Sequence, residues 1–116
     1  MLNFDVKINP GISLDSMEKS IKLGQFVLDQ QVAKDSNFFV PKDTSALEGS
    51  VISTSNFGSG VISWSTPYAR RLYYGTSFKF AKDKNPNASA LWFERAKAMR
   101  KRKWVELAKQ TITDNL

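Results

Sequence analysis

The chain contains neither cysteine nor histidine. Without cysteine there are no disulfides, thiol nucleophiles or thiolate zinc sites. Without histidine, the usual general base near neutral pH, the commonest metal ligand and every Ser/His or Cys/His pair are gone. Catalysis would have to rest on carboxylates, lysine or tyrosine. There are eleven carboxylates, and none falls in a magnesium-holding spacing such as Asp-x-Asp. A phosphate-binding glycine loop is also missing: Gly58-Ser59-Gly60 is followed by neither a helix start nor a P-loop lysine. Apolar runs are short, far below the ~20 residues of a membrane span. Met1-Leu2-Asn3-Phe4-Asp5 has neither the basic start nor the apolar centre of a signal peptide. The expectation is a non-enzymatic protein made in the cytoplasm, with no cofactor, no metal and no membrane partner.

Acidic residues thin out along the chain. Residues 1–50 carry five Lys/Arg against seven Asp/Glu, a net of −2, whereas residues 51–116 carry twelve against four, a net of +8. Such a split suits a basic surface facing nucleic acid or an acidic protein, and also head-to-tail pairing between copies. At 116 residues the chain is read as one domain.

Leu2, Phe4, Val6 and Ile8 alternate with polar residues and predict a strand. Asp15-Ser16-Met17-Glu18 has capping-box spacing, and helical periodicity then runs to about Asp35. Leu14, Met17, Ile21, Gly24, Leu28 and Val32 form its expected core stripe. Leu23, Phe26 and Val27 lie off that stripe, either inside a wide groove of the domain or on a second face buried by another subunit. Thr44–Glu48 is compatible with one helical turn. Ser50–Ser55 and Val61–Ser65 flank Asn56-Phe57-Gly58-Ser59-Gly60, which reads as a hairpin, with Trp64 packing on the core helix. Ser77–Phe80 is a short strand candidate, and Ala81–Ala88 a polar loop and the best candidate for disorder. The predicted fold is α+β: a long N-terminal helix and a C-terminal helix packed on a small, mainly antiparallel sheet.

Thr66-Pro67-Tyr68-Ala69-Arg70-Arg71-Leu72-Tyr73-Tyr74-Gly75-Thr76 places three tyrosines and two arginines within seven residues. Tyrosine and arginine supply stiff, amphipathic contact area and directional hydrogen bonds, the chemistry enriched where macromolecules grip each other. Pro67 suits a first helical turn and Gly75 an exit, so a short helix is expected. Tyr68, Leu72 and one later tyrosine could simply cap the core, but core packing does not explain the adjacent arginines. The last helix is predicted from Asn87 or Ser89 towards Thr111, with Trp92, Phe93, Ala96, Met99, Trp104 and Leu107 as its apolar stripe. Arg95, Lys97, Arg100, Lys101, Arg102 and Lys103 crowd that stripe and could track DNA phosphates. Burying it continuously would bury unpaired cations. A kink near residues 100–103, or a mobile or partner-docked segment over 105–116, is therefore expected.

In order, Val40-Pro41-Lys42-Asp43-Thr44-Ser45-Ala46-Leu47-Glu48-Gly49-Ser50, the hairpin, Pro67–Thr76 and Ser89-Ala90-Leu91-Trp92-Phe93-Glu94-Arg95-Ala96-Lys97 resemble minor capsid proteins of tailed phages of Gram-positive bacteria. More distantly the chain resembles tail-completion or head-tail joining proteins, from whose pattern it departs at Ser45, where glycine is usual, and at Tyr73, where glutamate is common. The resemblance implies a structural virion subunit, made in the host cytoplasm, that forms a ring at the neck, a hexamer being one candidate. Its implied partners are further copies of itself, head-completion or connector proteins and the tail tube protein, with nonspecific contact to DNA in the channel. Tyr68, Arg70, Arg71, Tyr73, Tyr74, Phe26 and Trp104 are then the expected assembly interface. Arg95, Lys97, Arg100, Lys101, Arg102 and Lys103 are the DNA-facing candidates. The alternative function is a non-enzymatic nucleic-acid-binding module built on the basic helix 95–103; a carboxylate-dependent nuclease, the third class, would require magnesium-dependent cleavage.

Overall fold

The computed structural model describes residues 13–42, 46–77, 79–80 and 85–116. Within them the chain forms helices α1 (Leu14–Asn37), α2 (Ala46–Thr54), α3 (Ala69–Tyr73) and α4 (Trp92–Asp114). The strand expected over residues 2–8 lies outside the described residues.

Helix α1 begins earlier than its capping-box signal. Ser13 is the N-cap, its hydroxyl accepting from the Ser16 backbone N–H at 3.2 Å, and Asp15 sits in the first turn, where the helix dipole favours negative charge. Its buried row is Ser20, Gly24, Leu28, Val32 and Ser36. Helix α4 buries Trp92, Ala96, Trp104, Ala108 and Ile112. Both rows advance in steps of four, or in a multiple of four where Arg100 is skipped. Such a row drifts about 40° around the helix per step, because a turn holds about 3.6 residues. A stripe drawn straight along α1 therefore places Leu14 and Ile21 in the core, whereas they are 75% and 51% exposed. Rows at four-residue spacing are the ridges that interlock in packed helix pairs, and α1 packs against the second half of α4, from Trp104 to the C-cap Asn115. The pair is antiparallel: the Ser20 hydroxyl donates to the Asn115 carbonyl, and the Trp104 indole N–H donates to Asp35 Oδ2 at 2.7 Å.

Small side chains let the two backbones approach. At Gly24 a Cβ would lie 2.5 Å from Ile112 Cγ1 and 3.4 Å from the Ala108 carbonyl oxygen. Leu28, Val32, Phe39, Val40, Leu47, Ala69, Trp92, Ala96, Trp104 and Ala108 make one continuous core, with Trp64, Tyr68, Leu72, Tyr73 and Phe93 packed against it.

The expected sheet is absent from the described residues, so the fold is helical rather than α+β. Val51–Thr54 belong to α2, and the remainder of the supposed hairpin makes an isolated antiparallel bridge, Asn56 to Val61. The β-branched residues are overruled by burial and hydroxyl chemistry. Leu47, Ser50 and Val51 are buried at helical spacing, and Thr54 Oγ1 bonds back to the Ser50 carbonyl at 2.6 Å. Serine hydroxyls also replace the ladder. The Ser63 N–H donates to Ser55 Oγ at 2.8 Å, and the Ser65 N–H donates to Ser50 Oγ at 3.1 Å. Ser77, Lys79 and Phe80 are likewise not in a strand.

The turn itself is as expected, with Gly58 and Gly60 at φ of 101° and 82°, values that favour glycine. It is clamped by Asp29, which is 2% exposed. Asp29 Oδ2 accepts from the Gly58 and Gly60 backbone N–H groups at 2.8 and 2.9 Å, while Oδ1 accepts from Gln25 Nε2 at 2.7 Å. Within the segment expected to be disordered, Asn85 is buried and its amide donates to the Phe38 and Val40 carbonyls at 2.9 and 2.8 Å. That ties residues 85–88 to the end of α1; Ala81–Lys84 lie outside the described residues.

Helix α4 starts at Trp92 rather than near residue 87 or 89, and is one helix to Asp114, including residues 105–114. The apolar and basic positions of α4 are kept apart because its buried row skips position 100. On the buried side Phe93 and Trp104 stack with centroids 6.1 Å apart. Arg100 and Lys103 stay exposed, and so does Met99 at 65%.

Candidate assembly surface

The Tyr/Arg run folds as its residues suggest. Pro67 precedes α3, the Ala69 N–H donates to the Thr66 carbonyl at 3.1 Å, and Ala69 is buried. One turn of helix sorts the run into two faces. Tyr68, Leu72 and Tyr73 are half-buried against the core, while Arg70, Arg71 and Tyr74 point outward, Tyr74 being 66% exposed.

Tyr73 serves the fold as well as the surface. Its carbonyl accepts from the Leu91 N–H at 2.8 Å. Leu91 is the N-cap of α4, has the left-handed φ of 51°, and provides no side-chain cap. The Tyr73 ring meets Trp92 edge-on at 4.7 Å. Burial pushes the Tyr73 phenol above its ordinary 10.0, the Glu94 carboxylate adds to the rise, and a hydrogen bond with the Glu94 backbone opposes it. Because the folded value is raised, this contribution is complete below the unfolded value and is lost as pH climbs towards the folded one. Thermal stability should therefore fall more steeply above about pH 10 in the native protein than in Tyr73→Phe. Parallel melting curves for the two proteins against pH would count against this burial.

Phe26, expected at an interface, is 40% exposed and meets Phe57 of the clamped turn edge-on at 6.4 Å. Trp104 is a correction: at 1% exposed it belongs to the domain's own core and offers no surface to a partner. Of the DNA-facing candidates, Arg95, Arg100, Lys101, Arg102 and Lys103 are exposed and Lys97 is half-buried. Among the described residues only Arg102 of these six has a carboxylate within ion-pair distance, Glu106 at 3.5 Å on an exposed turn. Such a pair is worth little.

Among the described residues, the carboxylates of the acidic half are mostly engaged. Asp29 is consumed by the turn, and Asp35 accepts from Trp104 and Gln31. Glu48 pairs with Lys42 at 3.4 Å and Asp15 with Lys19 at 3.1 Å. Asp5 and Asp43 lie outside the described residues, which leaves Glu18. The Asp29 clamp was not found from the sequence; its one signal is an acidic residue flanking the Gly24–Leu28–Val32 row.

The described residues form a helical domain built on a buried helix pair, with a contact-rich corner at α3. The family model described as minor capsid protein matches residues 5–112, and the chain belongs to that family. It is a structural protein of the phage virion. Neither a curated protein nor a solved structure matches the chain. No described helix is long and apolar enough to cross a membrane.

Proposed function

We propose that this minor capsid protein is a head-tail joining subunit, forming a ring at the neck through which DNA passes, and that Arg70, Arg71 and Tyr74 grip a neighbour there. The observation carrying this reading is the outward face of α3: two arginines and a tyrosine exposed on a turn that Tyr73 and Trp92 hold rigidly to the core. Exposed substitutions usually move stability by less than about 0.5 kcal/mol. Arg70→Glu with Arg71→Glu should leave the monomer folded, with an unchanged melting temperature, yet produce heads and tails that do not join. Normal infectious particles from that variant would sink the proposal.

The second reading, nucleic-acid binding by α4, is favoured by the exposed and largely unpaired cations from Arg95 to Lys103. In the channel of a ring the two readings coexist. A DNA titration at two salt concentrations separates them: a dedicated binder shows affinity that collapses steeply with salt, whereas a connector subunit on its own binds free DNA barely at all.

A further inference from the structure

We infer that the groove between α3 and the start of α4 is a docking site for an acidic segment of a different virion protein, an inference that rests on the assembly surface proposed above. The groove has a volume of about 330 Å³ and is lined by Trp64, Ala69, Arg70, Tyr73, Tyr74 and Trp92. That is room for one or two side chains of an extended peptide, not for a helix laid lengthwise or a DNA duplex.

Its walls are fixed before any partner arrives. Trp64 packs edge-on against Trp92 at 5.9 Å and Tyr73 against Tyr74 at 5.2 Å, and the Trp64 indole N–H is held by Asn37 Oδ1 at 2.9 Å. A rigid aromatic pocket loses little freedom on binding, which is where affinity is usually lost.

Charge selects the occupant. Arg70 is exposed at the rim, and neither it nor Arg71 has a carboxylate within ion-pair distance among the described residues. The Trp92 indole N–H is buried without an acceptor. A carboxylate on Arg70, followed by an apolar or aromatic side chain on the ring walls, fits this arrangement.

A second copy of this chain is poorly equipped to supply that carboxylate. The chain carries a net charge of +6, which repels a like copy, and among the described residues Asp29 and Asp35 are held by the Gly58–Gly60 turn and Trp104 and Glu48 by Lys42. The complementary charge comes from another protein.

The test uses the full chain, labelled with nitrogen-15, and three probes: a short peptide alternating glutamate and leucine, its glutamine counterpart, and single-stranded DNA. The acidic peptide should shift the indole N–H resonances of Trp64 and Trp92 and bind at least ~10-fold more tightly than the glutamine peptide. Arg70→Gln should lose a similar ~10-fold with an unchanged melting temperature, whereas Lys101→Gln should lose nothing. Equal binding of both peptides, no binding of the acidic one, or DNA shifting the same indoles as strongly would each overturn the proposal. Failure here with head-tail joining still blocked by the Arg70/Arg71 double variant would remove the acidic occupant and leave the assembly surface standing. Acidic-peptide binding at this groove with joining unaffected would do the reverse.

Discussion

Gly24→Leu should unfold much of the population or lower the melting temperature by about 12–20 °C, the equivalent of ~3 kcal/mol in a domain of this size. The cause is contact between α1 and α4. A Cβ alone would sit 2.5 Å from Ile112 Cγ1, and a β-branched residue in a helix has one strongly preferred χ1 rotamer with which to move aside. Behind it the Ala108 carbonyl oxygen, 3.4 Å from that Cβ, cannot move without moving the helix. Gly24→Ala is the finer probe. Alanine gains ~0.5–1 kcal/mol in helix propensity, so a net loss there measures the clash directly. Coupling Gly24→Ala with Ile112→Ala should recover part of that loss, a non-additivity expected of residues in contact. Additive effects would mean that the helices do not meet at this point.

The same helix pair shows what the sequence made legible. Local signals survived folding: the periodicity of α1, the glycine turn at Gly58–Gly60, the proline before α3, and the outward arginines of the Tyr/Arg run all specify structure through their own backbone chemistry. The sheet did not, because β-propensity depends on what the side chains pack against, and at Ser50–Thr54 the hydroxyls found carbonyls one helical turn back. Part of the core stripe was wrong for a geometric reason, since interlocking rows of four wind around a helix that a straight stripe follows. Within the contact surface, Arg70, Arg71 and Tyr74 were legible because adjacent arginines cannot both enter a core. That Tyr68, Leu72 and one later tyrosine could cap the core was legible too; that the later one is Tyr73 was not, because its place depends on Leu91 and Glu94, some twenty residues away and adjacent only after folding. Asp29 escaped for the same reason: its partners are two glycine N–H groups about thirty residues on.

Trp104→Ala should cost ~3–5 kcal/mol, a large share of the ~5–15 kcal/mol that holds a small domain together. Trp104 is 1% exposed, stacks on Phe93 and donates its indole N–H to Asp35 Oδ2. Trp104→Phe separates the two contributions: it keeps most of the ring area but leaves Asp35 Oδ2 without that donor, so about 1–2 kcal/mol should be lost. Deleting residues 105–116 should be as damaging as the alanine substitution. It strips Ala108 and Ile112 from the Gly24 row and removes the Asn115 carbonyl that Ser20 reaches. Amide exchange in the isolated monomer should then be slow up to Ile112, since the most protected amides are those whose exposure requires global unfolding. A folded monomer with an unchanged melting temperature after either change would return Trp104 to a partner's surface. With both changes destabilising, the basic residues from Arg95 to Lys103 sit on a helix anchored by Trp92 before them, by Ala96 among them and by Trp104, Ala108 and Ile112 after them. Their charge is then presented from a fixed rod, and any partner that meets it does so without first having to order the helix.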